Sequence, residues 1–149
     1  MQTKHGKHQQ LMKFQLVLLC LFFLVELNAP PFYFKSYDME DGLSNNHVTC
    51  CVQDDYGFMW FGTRDGLNRF DSKKFYTFKS YSSEKGSLMS SYILDLAKSP
   101  TGQIWVSTNL GLQKYDYQTD SFTLIDFTKG INCYSLQFDQ QGNLWMILN

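Results

Sequence analysis

GFMWFGTRDGLNRFD, residues 57–71, returns 45 positions later as GQIWVSTNLGLQKYD, residues 102–116. Gly57 and Gly102, Trp60 and Trp105, Gly66 and Gly111, and Asp71 and Asp116 fall in register. GNLWMILN, residues 142–149, opens a third copy with Gly142 and with Trp145, 40 residues after Trp105. A period of this size, punctuated by Gly and aromatic residues, indicates an array of supersecondary units that bury their cores against one another.

The interior of each copy reads as short strands joined by tight turns. VTCCVQ at 48–53 is rich in apolar and β-branched residues, and Asp54-Asp55-Tyr56-Gly57 after it is a hairpin turn. Asp at its first position bonds forward to the backbone, and Gly at its last tolerates a positive φ. Strands follow at 58–62, 67–70 and 75–79, separated by Arg64-Asp65-Gly66 and by residues 71–74. The second copy gives strands at 93–98, 104–107, 112–115 and 122–125, and the third at 133–138 and 144–148. FYFKSY at 32–37 alternates aromatic and polar residues and reads as one more strand.

A four-stranded antiparallel meander recurring every 40–45 residues is the blade of a β-propeller, so the fold class is all-β. The expected blades are 48–79, 93–126 and a truncated 133–149, within a propeller region spanning 32–149. The three Trp residues are expected in the core between blades. About two and a half blades cannot close a ring, since closed propellers use at least about four. The strand at 32–37 is expected to complete a closing blade, which makes the chain the N-terminal fragment of a longer protein.

Residues 1–29 stand apart. Lys4, Lys7 and Lys13 precede a nearly unbroken apolar run at 14–27, and Ala29 follows. This pattern describes a secretory signal peptide, with an uncleaved anchor as the alternative, and either implies export. Without these residues the remainder holds 10 basic and 13 acidic groups, a net charge of −3. No basic surface for nucleic acid is expected. Cys20 lies in the leader, Cys50 and Cys51 are neighbours in a strand, and Cys51 and Cys133 are expected as small buried hydrophobes. No metal spacing or cofactor motif is present.

GLSNNHV at 42–48 followed by QDDYGFMWFGTRDGLNRFD at 53–71 resembles the two-component regulator propeller repeat. The second copy is looser, with LMSSYI at 88–93 for the loop. The resemblance implies a seven-bladed propeller, part of the periplasmic sensor of a Bacteroides-type hybrid two-component histidine kinase. It also implies an oligosaccharide ligand and a dimeric, membrane-spanning parent anchored in the inner membrane. The chain itself carries no catalytic domain, so it is not expected to be an enzyme. An exported interaction scaffold, or the non-catalytic part of a secreted enzyme, is the competing reading.

His5 and His8 belong to the leader and His47 to a loop, which leaves no phosphorelay or catalytic histidine site. The nearest enzymatic likeness is the sialidase aspartate box, matched in its second half by Asp55-Tyr56-Gly57-Phe58-Met59-Trp60. That box is a structural turn. Propeller geometry places ligand contacts on loops at one mouth of the channel. The candidates are Asn45, Asn46, Ser91, Arg64, Asp65 and Asn109, with the loop at 130–132 beside them. Amide, guanidinium and carboxylate groups near Tyr92 suit sugar hydroxyls.

Overall fold

The computed structural model describes residues 12–17, 32–81 and 84–149. Its contacts divide the chain into a unit at 1–35 and a second at 36–149. Of the first unit, residues 12–17 are helical. The rest of the apolar run, Ala29, Cys20, His5 and His8 lie outside the described residues. Among the described residues no helix is long and apolar enough to cross a membrane.

The second unit is built from three antiparallel sheets. In the first, β1 (Val48–Gln53), β2 (Met59–Thr63), β3 (Gly66–Phe70) and β4 (Phe75–Phe78) pair in chain order. The second repeats it with β5 (Ile93–Lys98), β6 (Ile104–Thr108), β7 (Gly111–Asp116) and β8 (Ser121–Leu124). A 3-10 turn at Asp126–Thr128 leads to the third, where β9 (Cys133–Phe138) pairs with β10 (Leu144–Leu148). Every strand expected from 48 onward is present, with ends moved by a residue or so.

Residues 32–37 form no strand, contrary to the alternation of FYFKSY. Alternation marks a segment able to pair, but a strand also needs a regular backbone ladder, and 32–37 enters none of the described sheets. Phe32, Tyr33 and Phe34 are exposed, while Tyr37 packs on Phe70 and Phe75 with ring centroids 4.9 and 5.7 Å away.

The sheets bury apolar faces in series. Trp60 leaves the first sheet and is fully buried against Phe78, Tyr115 and Tyr117, with Tyr115 4.8 Å away in edge contact. Ile93, Leu96 and Val106 complete that layer from the second sheet. Trp105 then faces the third sheet, half-buried with Leu112, Cys133, Leu136 and Phe138. Trp145 is 65 % exposed, because no further sheet covers its face among the described residues. Its expected burial in the core is therefore corrected. At near 25 cal/mol per Å², a buried Trp contributes several kcal/mol as an upper bound, so the first seam is the best supplied.

The cysteines also need correction. Cys133 is buried and Cys51 exposed, while Cys50 is the one turned into the first seam. Cys51 stands opposite Phe61 across β1 and β2 and lies exposed. Burial pushes the Cys50 thiol up to about 11, so it stays protonated at neutral pH.

Candidate functional site

The expected ligand loops meet at the end of the sheets where each second strand turns into the third. Thr63 braces the first of these turns: its Oγ1 accepts from Asp65 N at 3.1 Å and donates to Gly66 O at 2.9 Å. Thr108 repeats the arrangement with Leu110 N and Gly111 O, both at 3.1 Å. The hydroxyl satisfies backbone groups that a turn this tight leaves unpaired. Arg64-Asp65 and Asn109-Leu110 are thereby held at the tips.

Buried amides fix the loops entering each first strand. Asn68 Oδ1 accepts from Ser44 N at 3.0 Å and Thr77 Oγ1 at 3.0 Å, and its Nδ2 donates to Ser44 Oγ at 2.8 Å. Gln113 holds the same place on β7, accepting from Met89 N at 2.7 Å and donating to Ser87 O at 3.2 Å. The loops are then sewn to the tips. Arg64 N donates to His47 O at 3.3 Å, and Asn109 N to Tyr92 O at 3.4 Å. Gly66 N donates to Ser91 O across the first seam at 2.7 Å, and Gly130 N to Leu110 O at 2.9 Å.

Several candidate side chains have local work. Asn45 Oδ1 accepts from His47 N at 2.8 Å, Asn46 Oδ1 from Met39 N at 3.0 Å, and Ser91 Oγ from Ser80 N at 3.0 Å. Asp65 pairs with Lys79 at 2.7 Å. Arg64 and Asn109 are exposed at the tips, and neither side chain makes a hydrogen bond among the described residues. Arg64, Asp65 and Ser91 come together at the first seam, and Asn109 stands at the next. Among the described residues no group of His, Cys, Asp and Glu could hold a metal.

At the opposite end Asp54 bonds forward within the first hairpin turn, as expected of its first position: Oδ1 accepts from Tyr56 N and Phe58 N. The motif reading passed over its other oxygen, since Oδ2 accepts from Trp60 Nε1 at 2.8 Å and Tyr117 Oη at 3.0 Å. Asp139 binds Gln141 N, Asn143 N and Trp145 Nε1 in the same way. Bonds from the Asn143 amide and the Trp145 indole hold the Asp139 carboxyl down to about 2. Ser99 occupies this place in the second copy, and there Trp105 Nε1 is buried with no hydrogen-bond partner among the described residues. Tyr56 and Tyr117 flank a cleft at this end. Their only sequence signal was that both sit in turns.

The strand order, the paired faces and these repeated turns are those of propeller blades. Residues 42–65 match the family model described as the two component regulator propeller. Over this segment the chain is similar to that repeat family. A 67-residue stretch, 44 % of the chain, is 46 % identical to histidine kinase P4 of Formosa agariphila, covering 5 % of that protein. The extracellular domain of a hybrid two component system from B. thetaiotaomicron superposes with a TM-score of 0.67 at 30 % identity. It covers 78 % of this chain and 18 % of that one. The extracellular domain of a one component system from the same organism gives 0.62 at 20 % identity, over 79 % and 18 % of the two chains, and shows the shared fold. The chain thus spans a small part of the proteins it matches, and it is similar to extracellular sensor domains of two-component systems.

Proposed function

We propose that this chain is the first part of the periplasmic ligand-sensing propeller of a two-component sensor kinase, responding to an oligosaccharide. The similarity to an extracellular hybrid-system domain over 78 % of the chain is the observation that carries this reading. The braced loop end supports it, since it holds Arg64 and Asn109 outward on a frame of buried amides. Preorganised polar groups on rigid strands lose little entropy when a ligand binds. The blades would belong to a seven-bladed ring, and the parent would be a membrane-anchored dimer whose kinase lies beyond the sensor.

Reading the gene beyond codon 149 tests the parentage. Continuation through further repeats, a membrane segment and a kinase is expected, and a propeller without a kinase would sink the proposal. Ligand contact is tested by titrating the isotopically labelled chain with oligosaccharides and following backbone amides by NMR. Shifts at Arg64, Asp65, Ser91 and Asn109 are expected. Saturable binding that leaves all four unmoved would remove the loop end from the site.

A further inference from the structure

The cleft at the other end of the sheets has recognition chemistry of its own. It runs between the β1–β2 turn and the β7–β8 turn and measures about 490 Å³, joining a smaller hollow of about 140 Å³ through Tyr56, Gln103 and Tyr117. The larger volume falls within the range of roughly 300–1,000 Å³ usual for small-ligand sites.

Its walls are fixed by the fold. Tyr117 is pinned by the bond of its hydroxyl to buried Asp54 at 3.0 Å. Tyr56 is held at its backbone by the same carboxylate, yet its side chain belongs to a residue 71 % exposed. The two rings stand 4.9 Å apart at 54°, so they form an open aromatic corner and not a closed stack. Gln103 crosses the corner, its Nε2 bonded to Tyr115 O, and its amide oxygen makes no bond among the described residues. Gln118 lies exposed at the rim.

The charged side chains of the lining are matched, and the Asp54 carboxylate behind Tyr117 is taken up by four hydrogen bonds. Asp55 is paired with Lys98 at 2.5 Å, and Asp116 lies in the same lining as Lys114. A charged ligand would gain no net field from such a site. An aromatic ring accepts the C–H face of a sugar ring, and planar amides bond to adjacent hydroxyls. We infer that the cleft lined by Tyr56, Tyr117 and Gln103 is a subsite for an uncharged saccharide. It is separate from the loop end, and its ligand class follows from its own groups.

The test uses the full chain, titrated with maltotriose, xylotriose and cellotriose, and with trigalacturonate as the charged counterpart. At least one neutral trisaccharide should shift the amides of Tyr56, Gln103 and Tyr117 with a saturable isotherm, and trigalacturonate should bind no better. Tyr56→Ala, at an exposed position, should weaken that binding on the order of tenfold. Gln118→Ala supplies a second variant remote from the core and should weaken it about threefold. The inference is overturned by silence of these amides toward all three neutral probes, by tighter binding of trigalacturonate, or by isotherms that Tyr56→Ala leaves unchanged. Shifts confined to Arg64, Ser91 and Asn109 would overturn it while leaving the loop-end reading intact, and shifts confined to the cleft would do the reverse.

Discussion

At Ser99 the second repeat gives up a carboxylate that the first and third keep. Asp54 and Asp139 each tie turn amides to a Trp indole, whereas Ser99 Oγ reaches Gln103 N at 3.1 Å and leaves Trp105 Nε1 buried and unpaired among the described residues. An unpaired buried donor costs about 1–3 kcal/mol. Ser99→Asp is therefore expected to raise stability by about 1 kcal/mol, read as a higher urea midpoint with an unchanged slope. The reverse change, Asp54→Ala, orphans two backbone amides, an indole and a phenol, and should cost about 3 kcal/mol or more in the same titration. Asp139 adds a pH dependence. Its carboxyl lies near 2, below the ordinary 3.8 of an aspartate, so its contribution is complete above about pH 4 and is lost as pH falls through 2. In Asp139→Asn the acid limb of Trp145 fluorescence between pH 4 and 2 should flatten. The turn role of Asp54 was legible, because Asp followed three residues later by Gly is local chemistry. Its indole partner was not, since that bond spans six residues and depends on hairpin register.

The strands themselves were legible because the Trp period and the Gly-Leu pairs fix register twice over. What escaped was everything that depends on a neighbouring element. The stretch at 32–37 has the alternation of a strand but enters none of the described sheets, and the pairing of β1 with β2 shifts between Val48 and Cys50. Gly62 shows how closely the first two sheets approach: a Cβ there would stand 2.5 Å from Cys50 Sγ and 2.6 Å from Ile93 Cγ2. Gly62→Ala should push the seam apart at a cost of about 1–3 kcal/mol, visible as faster hydrogen exchange in both β1 and β5. Ser107 holds the same place on β6 and instead donates to Cys133 O, while Thr49 makes the corresponding bond to Ile93 O at 3.0 Å in the first seam. One role, capping the carbonyl of the next sheet, has moved between two strands. No single repeat displays that exchange, so sequence alone did not reveal it.

At the scale of the molecule, the faces that make the seams are exposed, among the described residues, on the first and third sheets. Trp145 and Ile147 are 65 % and 60 % exposed on the third sheet, and Val48 is 43 % exposed beside Phe61 and Phe75 on the first. Each face repeats the chemistry of one side of an internal seam, so one copy's third sheet matches another copy's first. Such a contact is heterologous and does not close by symmetry, so association should be open-ended. Exposed apolar sheet faces and edges of this kind favour it. Sedimentation of the full chain should show average mass rising with concentration, without a plateau at a dimer. Ile147→Lys places a charge on one face and leaves the indole bond of Trp145 in place, so it should lower the mass average. Adding Val48→Lys on the opposite face should lower it further. A plateau at two copies would instead indicate a two-fold contact, and equal masses for all three proteins would show that these faces are not what the copies share.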